Sequence, residues 1–147
     1  MNALLIYPIL PESFYSFDKA VKFMGKKAFY PPLSLITVAA LLPPEWTIKI
    51  VDMNVRKVLR NEWDWAEIVL ISGMNIQKKH ILSLIQTAKK RKKLVAVGGP
   101  YSNLNQQECL DAGTDFLVLG EGEITVPILI QAIEQGKNFG IIKSDGQ

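Results

Sequence analysis

Five short apolar runs, each closed by turn chemistry, constrain this 147-residue chain more than any other feature. They are Ala3–Tyr7, closed by Pro8; Thr47–Val51, ending at Asp52; Glu67–Ile71, ending at Ser72-Gly73; Leu94–Val97, ending at Gly98-Gly99-Pro100; and Phe116–Leu119, ending at Gly120. Four of the five are apolar at nearly every position, the pattern of strands covered on both faces in a parallel sheet. Between them the spacing predicts helices. One spans Leu33–Leu42, bracketed by Pro31-Pro32 and Pro43-Pro44. A second spans Asn75–Lys92, with Ile81, Leu84, Ile85 and Ala88 on one face. Others span Asn105–Ala112, capped by Gly113, and Glu123–Gln135, ended by Gly136. Val55–Asn61 carries only a weak helical pattern. Repeated β-α units of this size predict a right-handed α/β domain over residues 1–136. It is a doubly wound five-stranded parallel sheet, the flavodoxin-like or Rossmann-like arrangement. Residues 137–147 are polar, contain Gly140 and Gly146, and read as a tail or linker.

Composition removes much ordinary chemistry. At 48 % apolar and 21 % charged residues, the chain buries a core without staples. Lone Cys109 excludes an internal disulfide and any cysteine-ligated zinc or iron–sulfur site within these residues. A single His80 removes the usual histidine metal clusters, and its place on a helix makes it a surface residue. No apolar stretch is long enough to span a membrane. Met1-Asn2-Ala3-Leu4 has no positive n-region, so the expected location is cytoplasmic. A net charge of +3 is too small to imply nucleic acid, and Lys89-Lys90-Arg91-Lys92-Lys93 reads as a solvated, dipole-favoured helix end. Trp63 and Trp65 precede the third run and are expected to cover the lower end of the sheet.

Ligands of such sheets bind outside the carboxyl ends of the strands. The unusual residues stand there: Tyr7-Pro8, Asp52-Met53-Asn54, Ser72-Gly73-Met74, Gly98-Gly99-Pro100 and Gly120-Glu121-Gly122-Glu123. A dinucleotide site needs G-x-G-x-x-G after the first strand, but no glycine follows Tyr7-Pro8 until Gly25. The G-x-G at Gly120-Glu121-Gly122 carries carboxylates that repel a pyrophosphate. No P-loop, phospho-receiver acid set or flavodoxin-type phosphate loop is present. What remains is small residues at Ser72-Gly73, Gly98-Gly99 and Gly120, which open a channel between sheet and helices. Backbone amides and the Ser72 hydroxyl supply directed hydrogen bonds in an otherwise apolar slot, suited to a long, mostly uncharged ligand arm. Each feature also has a plain structural explanation. The glycines turn the chain, Asp52 and Asn54 form turns or caps, and Glu121 and Glu123 favour a helix N-terminus.

Ser72-Gly73-Met74 followed by Gly98-Gly99 resembles the S-x-L … G-G half of the cobalamin-binding domain signature. In that family the serine and glycines line the pocket for the dimethylbenzimidazole nucleotide tail. The D-x-H-x-x-G half, which brings the cobalt-coordinating histidine, is absent. The closer resemblance is therefore to the amino-terminal cobalamin-binding domain of B12-dependent radical-SAM enzymes, many of which lack that histidine. It rests on Tyr7-Pro8, Pro31-Pro32-Leu33-Ser34-Leu35, Asp52-Met53-Asn54, Val97-Gly98-Gly99-Pro100 and Gly120-Glu121-Gly122-Glu123-Ile124-Thr125. The aromatic-rich insertion after the first strand, Phe14-Tyr15-Ser16-Phe17 with Gly25-Lys26-Lys27-Ala28, is similar to the hopanoid C-2 methylase branch.

The resemblance implies base-off cobalamin held without a protein histidine ligand, by Tyr7, Pro8, Asp52, Asn54, Ser72, Gly73, Met74, Gly98, Gly99, Pro100, Gly120, Glu121, Gly122 and Glu123. It also implies a radical-SAM partner domain bearing the [4Fe–4S] cluster and S-adenosylmethionine, since one cysteine cannot supply C-x-x-x-C-x-x-C. These residues alone are then a positioning module of a methyltransferase, not its catalyst. Two other readings stay open: a nucleotide- or flavin-binding domain, and a degenerate module that makes protein contacts only.

Overall fold

A computed structural model describes residues 1–12 and 32–144. The insertion read after the first strand, residues 8–30, lies outside the described residues from residue 13 onward. Among the described residues six parallel strands form one sheet in the order β2-β1-β3-β4-β5-β6. They are β1 (Asn2–Tyr7), β2 (Thr47–Asp52), β3 (Ile68–Ser72), β4 (Leu94–Gly98), β5 (Phe116–Leu119) and β6 (Gly140–Lys143). The predicted five-stranded count is thus corrected to six. Gly140–Lys143, read as tail, pairs along β5 with Phe116 opposite Gly140 and Leu119 opposite Lys143. Only Ile142 of β6 is buried, so this edge strand has no apolar run to announce it.

Six helices cover the two faces among the described residues. They are α1 (Leu33–Leu41), α2 (Arg60–Trp65), α3 (Lys78–Lys90), α4 (Pro100–Leu104), α5 (Gln106–Asp111) and α6 (Gly122–Glu134). Strand alternation divides the core accordingly. Ala3, Leu5, Ile68, Leu70, Ala96, Phe116 and Val118 face α1 and α6, whereas Leu4, Ile6, Val69, Ile71, Val95, Val97 and Leu117 face α2 to α5. The weak pattern at Val55–Asn61 is replaced by α2, and Asn75–Gln77 is a 3₁₀ turn leading into α3. Helix α4 is new. Gly99 caps it at φ 88° and Pro100 occupies its first turn, where a missing N–H costs nothing. Among the described residues no helix is long and apolar enough to cross a membrane.

Helix α2 places Trp63 in the core below the sheet, with Lys49 Nζ 4.6 Å from the Trp65 ring centroid. Glu62 is the buried acid that closes this end. Arg56 donates to both its oxygens, at 2.7 and 2.8 Å, and the Leu59 amide donates at 2.9 Å. The Arg56 bonds hold the carboxyl at about 2, well below its ordinary value. A carboxyl whose folded pKa is depressed stabilises the fold above its unfolded pKa and loses that contribution as pH falls through the folded one. Glu62→Gln is therefore expected to cost about 1–2 kcal/mol at neutral pH. The cost should vanish between about pH 4 and pH 2, where wild type loses the same contribution. Urea melts of the two proteins at pH 7 and pH 2 check this.

Candidate functional site

The carboxyl ends of β3, β4 and β5 are where the sheet is thinnest on the α1/α6 face. Two positions along each strand from the buried Leu70, Ala96 and Val118 come Ser72, Gly98 and Gly120. A cavity of about 290 Å³ opens there, walled by the sheet on one side and by α1 and α6 on the other. Ser34, Thr37 and Val38 line it from α1, and Thr125, Val126 and Leu129 from α6. This is at the small end of the range for small-molecule sites, about 300–1,000 Å³. Among the described residues no lysine or arginine lines it.

Neighbouring glycines serve different purposes. Gly98 has no positive φ, and a Cβ built there meets nothing closer than Val118 Cβ at 3.6 Å, an ordinary contact. Neither backbone nor packing demands glycine at 98; an added side chain would simply occupy the cavity. Gly99 is the opposite case. Its φ is 88°, and a Cβ there would stand 2.6 Å from Ser72 Oγ and 3.3 Å from the Gly73 backbone. Gly73 faces the other side of the sheet, where a Cβ would sit 2.8 Å from Gln77 Oε1. Turn geometry and packing account for both.

Of the residues singled out in the sequence, the structure brings Ser72, Gly98, Gly99, Gly120, Glu121, Gly122 and Glu123 together around the cavity. Ser72 Oγ lies 3.4 Å from Ser34 Oγ across its mouth. Glu121 and Glu123 stand exposed at the N-terminus of α6, beside the mouth and near positive helix-dipole charge. Pro100 lines an adjoining groove of about 580 Å³ with Asn103, Gln106 and Lys143. Tyr7, Pro8, Asp52, Asn54, Gly73 and Met74 do not line the cavity.

Those six instead build the neighbouring strand exits. The Asn54 amide donates to Asp52 Oδ1 at 2.9 Å and to the Pro8 carbonyl at 3.2 Å, while the Leu10 amide donates to Asn54 Oδ1 at 2.8 Å. Fully buried Gln77 donates to the same Pro8 carbonyl at 2.7 Å and accepts from the Met74 amide at 2.8 Å. Burial raises the Tyr7 hydroxyl above its ordinary pKa, partly offset by a hydrogen bond from Gln77. Asp52 and Asn54 thus have their side chains committed to holding the exits of β1 and β2 together, and Gln77 ties in the exit of β3. His80 stands on α3, on the far face of the sheet from the cavity.

Sequence reasoning missed the helical walls and the struts. Ser34 and Thr37 interrupt an apolar run three positions apart, which places them on one helix face and was the available signal. Ser102 had none: it is buried, its hydroxyl donating to the Gly99 carbonyl at 2.9 Å and lying 3.2 Å from the Val118 carbonyl. Asn103 Oδ1 accepts from the Gly120 amide at 3.1 Å, tying the exits of β4 and β5. Cys109 is fully buried, and burial pushes its thiol up to about 11, which makes it inert.

The B12 binding domain family matches residues 27–130. An uncharacterized methyltransferase of Synechocystis sp. is 51 % identical over 144 residues, covering 98 % of this chain and 27 % of that protein. The hopanoid C-2 methylase of Rhodopseudomonas palustris is 34 % identical over 122 residues, covering 82 % of this chain and 22 % of that protein. The chain therefore spans about a quarter of the length of the curated relatives it matches, and no solved structure matches it. The sequence resemblance to hopanoid C-2 methylases is borne out. With a flavodoxin-like sheet and a cleft at the carboxyl ends of its strands, this chain belongs to the B12-binding domain family and is related to methyltransferases.

Proposed function

We propose that this chain is the cobalamin-holding module of a radical-SAM methyltransferase, and that the nucleotide tail of base-off cobalamin enters the cavity between the sheet and α1/α6. The observation that carries this is Gly98, a glycine that neither φ nor packing explains, at the wall of a cleft its side chain would fill. Bound as methylcobalamin and recharged from S-adenosylmethionine, the cofactor would supply a methyl group to an unactivated carbon held by a partner domain that bears the [4Fe–4S] cluster. The residues present fit such a ligand. Ser72 and Ser34 offer hydroxyls at the mouth, where a ribose passes, and the apolar interior suits an aromatic base. The laced exits of β1 to β3 give a stiff platform on which the corrin rests, so that the cobalt faces the partner domain. On this reading Asp52, Asn54 and Tyr7 act by fixing the platform, and the module positions its cofactor without itself reacting.

A flavin or nucleoside polyphosphate fits less well. Among the described residues the cavity has no cation in its lining and two carboxylates at its mouth, which oppose a phosphate dianion more than the single charge of a phosphodiester. Incubation with hydroxocobalamin, desalting, and a visible spectrum tests the proposal. The expected result is about one equivalent of retained corrinoid, with the absorption of displaced lower base. A colourless protein would favour a contact-only module, and retained FMN in a parallel incubation would favour the flavin reading.

A further inference from the structure

We propose that this cavity selects among corrinoids by their lower base, taking a benzimidazole and discriminating against a purine. The inference rests on the tail placement above and adds to it the chemistry of the cavity floor. Apart from Thr125, the polar lining among the described residues is confined to the mouth: Ser72 lies at the end of β3, Ser34 and Thr37 in the first turns of α1, and Glu121 and Glu123 at the start of α6. Two residues back along the strands, about 6–7 Å deeper, the sheet presents Leu70, Ala96 and Val118. Leu35, Val126 and Leu129 face them from the helices. All six are apolar and at most 9 % exposed.

Among the described residues no group at that depth is free to donate to a base. The backbone groups of β3 and β4 are paired in the ladder, Ser72 opposite Gly98 and Leu70 opposite Ala96. Thr125 is fully buried beside the floor, but its hydroxyl proton is already given to the Glu121 carbonyl at 2.9 Å. A dimethylbenzimidazole exposes only carbon at its outer edge, and its methyls would meet methyls. An adenine in the same position would bring ring nitrogens out of water and leave them without a donor. An apolar pocket rejects an added polar group by about tenfold to a hundredfold.

Three corrinoids separate this inference from the reading beneath it. Equilibrium dialysis of the 147-residue chain would compare cobalamin, the cobamide whose lower base is adenine, and cobinamide, which lacks the nucleotide. Cobalamin is expected to bind about 10- to 100-fold tighter than the adenine cobamide, and cobinamide more weakly than cobalamin. Val118→Thr, which places a hydroxyl on the floor, is expected to narrow the gap several-fold while leaving cobinamide affinity unchanged. Equal or tighter binding of the adenine cobamide, with cobinamide still weak, would overturn the selectivity and leave the tail placement standing. Cobinamide binding as tightly as cobalamin would overturn both, because the tail would then contribute nothing.

Discussion

Gly98→Phe is expected to abolish cobalamin retention while leaving the fold as stable as wild type. The side chain would project from the end of β4 into the cavity of about 290 Å³, where a Cβ meets no atom closer than 3.6 Å. No strand hydrogen bond is lost, and no positive φ is forced on a side chain. Filling an apolar void leaves stability within about 1 kcal/mol, because buried area offsets small packing adjustments. The ring would take the volume the nucleotide base requires, so affinity should fall at least about a hundredfold. Retained absorbance after desalting, read beside a thermal melt, separates this from misfolding.

The adjacent glycine should behave in the reverse way. Gly99→Val puts a β-branched residue at φ 88° and a Cβ 2.6 Å from Ser72 Oγ. The expected loss is about 2–3 kcal/mol, or a melting temperature lower by about 5–10 °C. The strain propagates, because the Gly99 carbonyl accepts from Ser102 and the Tyr101 amide donates to the Gly73 carbonyl at 3.0 Å. Retention should fall at least as far as the folded fraction does, because the new side chain also presses on the Ser72 hydroxyl at the mouth. A Gly99 variant as stable as wild type would contradict the assignment of this glycine to the turn. The pair shows why the G-G dipeptide cannot be treated as one feature: one glycine serves the chain and its neighbour leaves room for a ligand.

Much of the fold was legible because buried parallel strands announce themselves. β1, β3 and β5 have nearly every residue in the core and β4 its central three, and their runs are hard to mistake for anything else. β6 was not legible: four residues with one buried side chain carry no periodicity, and its pairing with β5 is decided by tertiary context. Helix α4 was hidden by Gly-Gly-Pro, which reads as a turn although Pro100 in fact starts a helix. The site was half legible. Strand ends at Ser72, Gly98 and Gly120 were visible as missing side chains. The division of labour was not, because Asp52 and Asn54 look equally suited to a ligand amide or to the Pro8–Leu10 backbone that they hold. Which face of the sheet each residue points to depends on strand register, and that is what separates Gly73 from Gly98.

The central claim, that the nucleotide tail lies between the sheet and α1/α6, is tested most directly by crystals of the chain grown with cobalamin. Electron density for a benzimidazole packed against Gly98, with Val118 beneath and Val126 beside it, is the predicted result. Density for the base still stacked under the corrin, or lying elsewhere with this cleft holding only water, would contradict it.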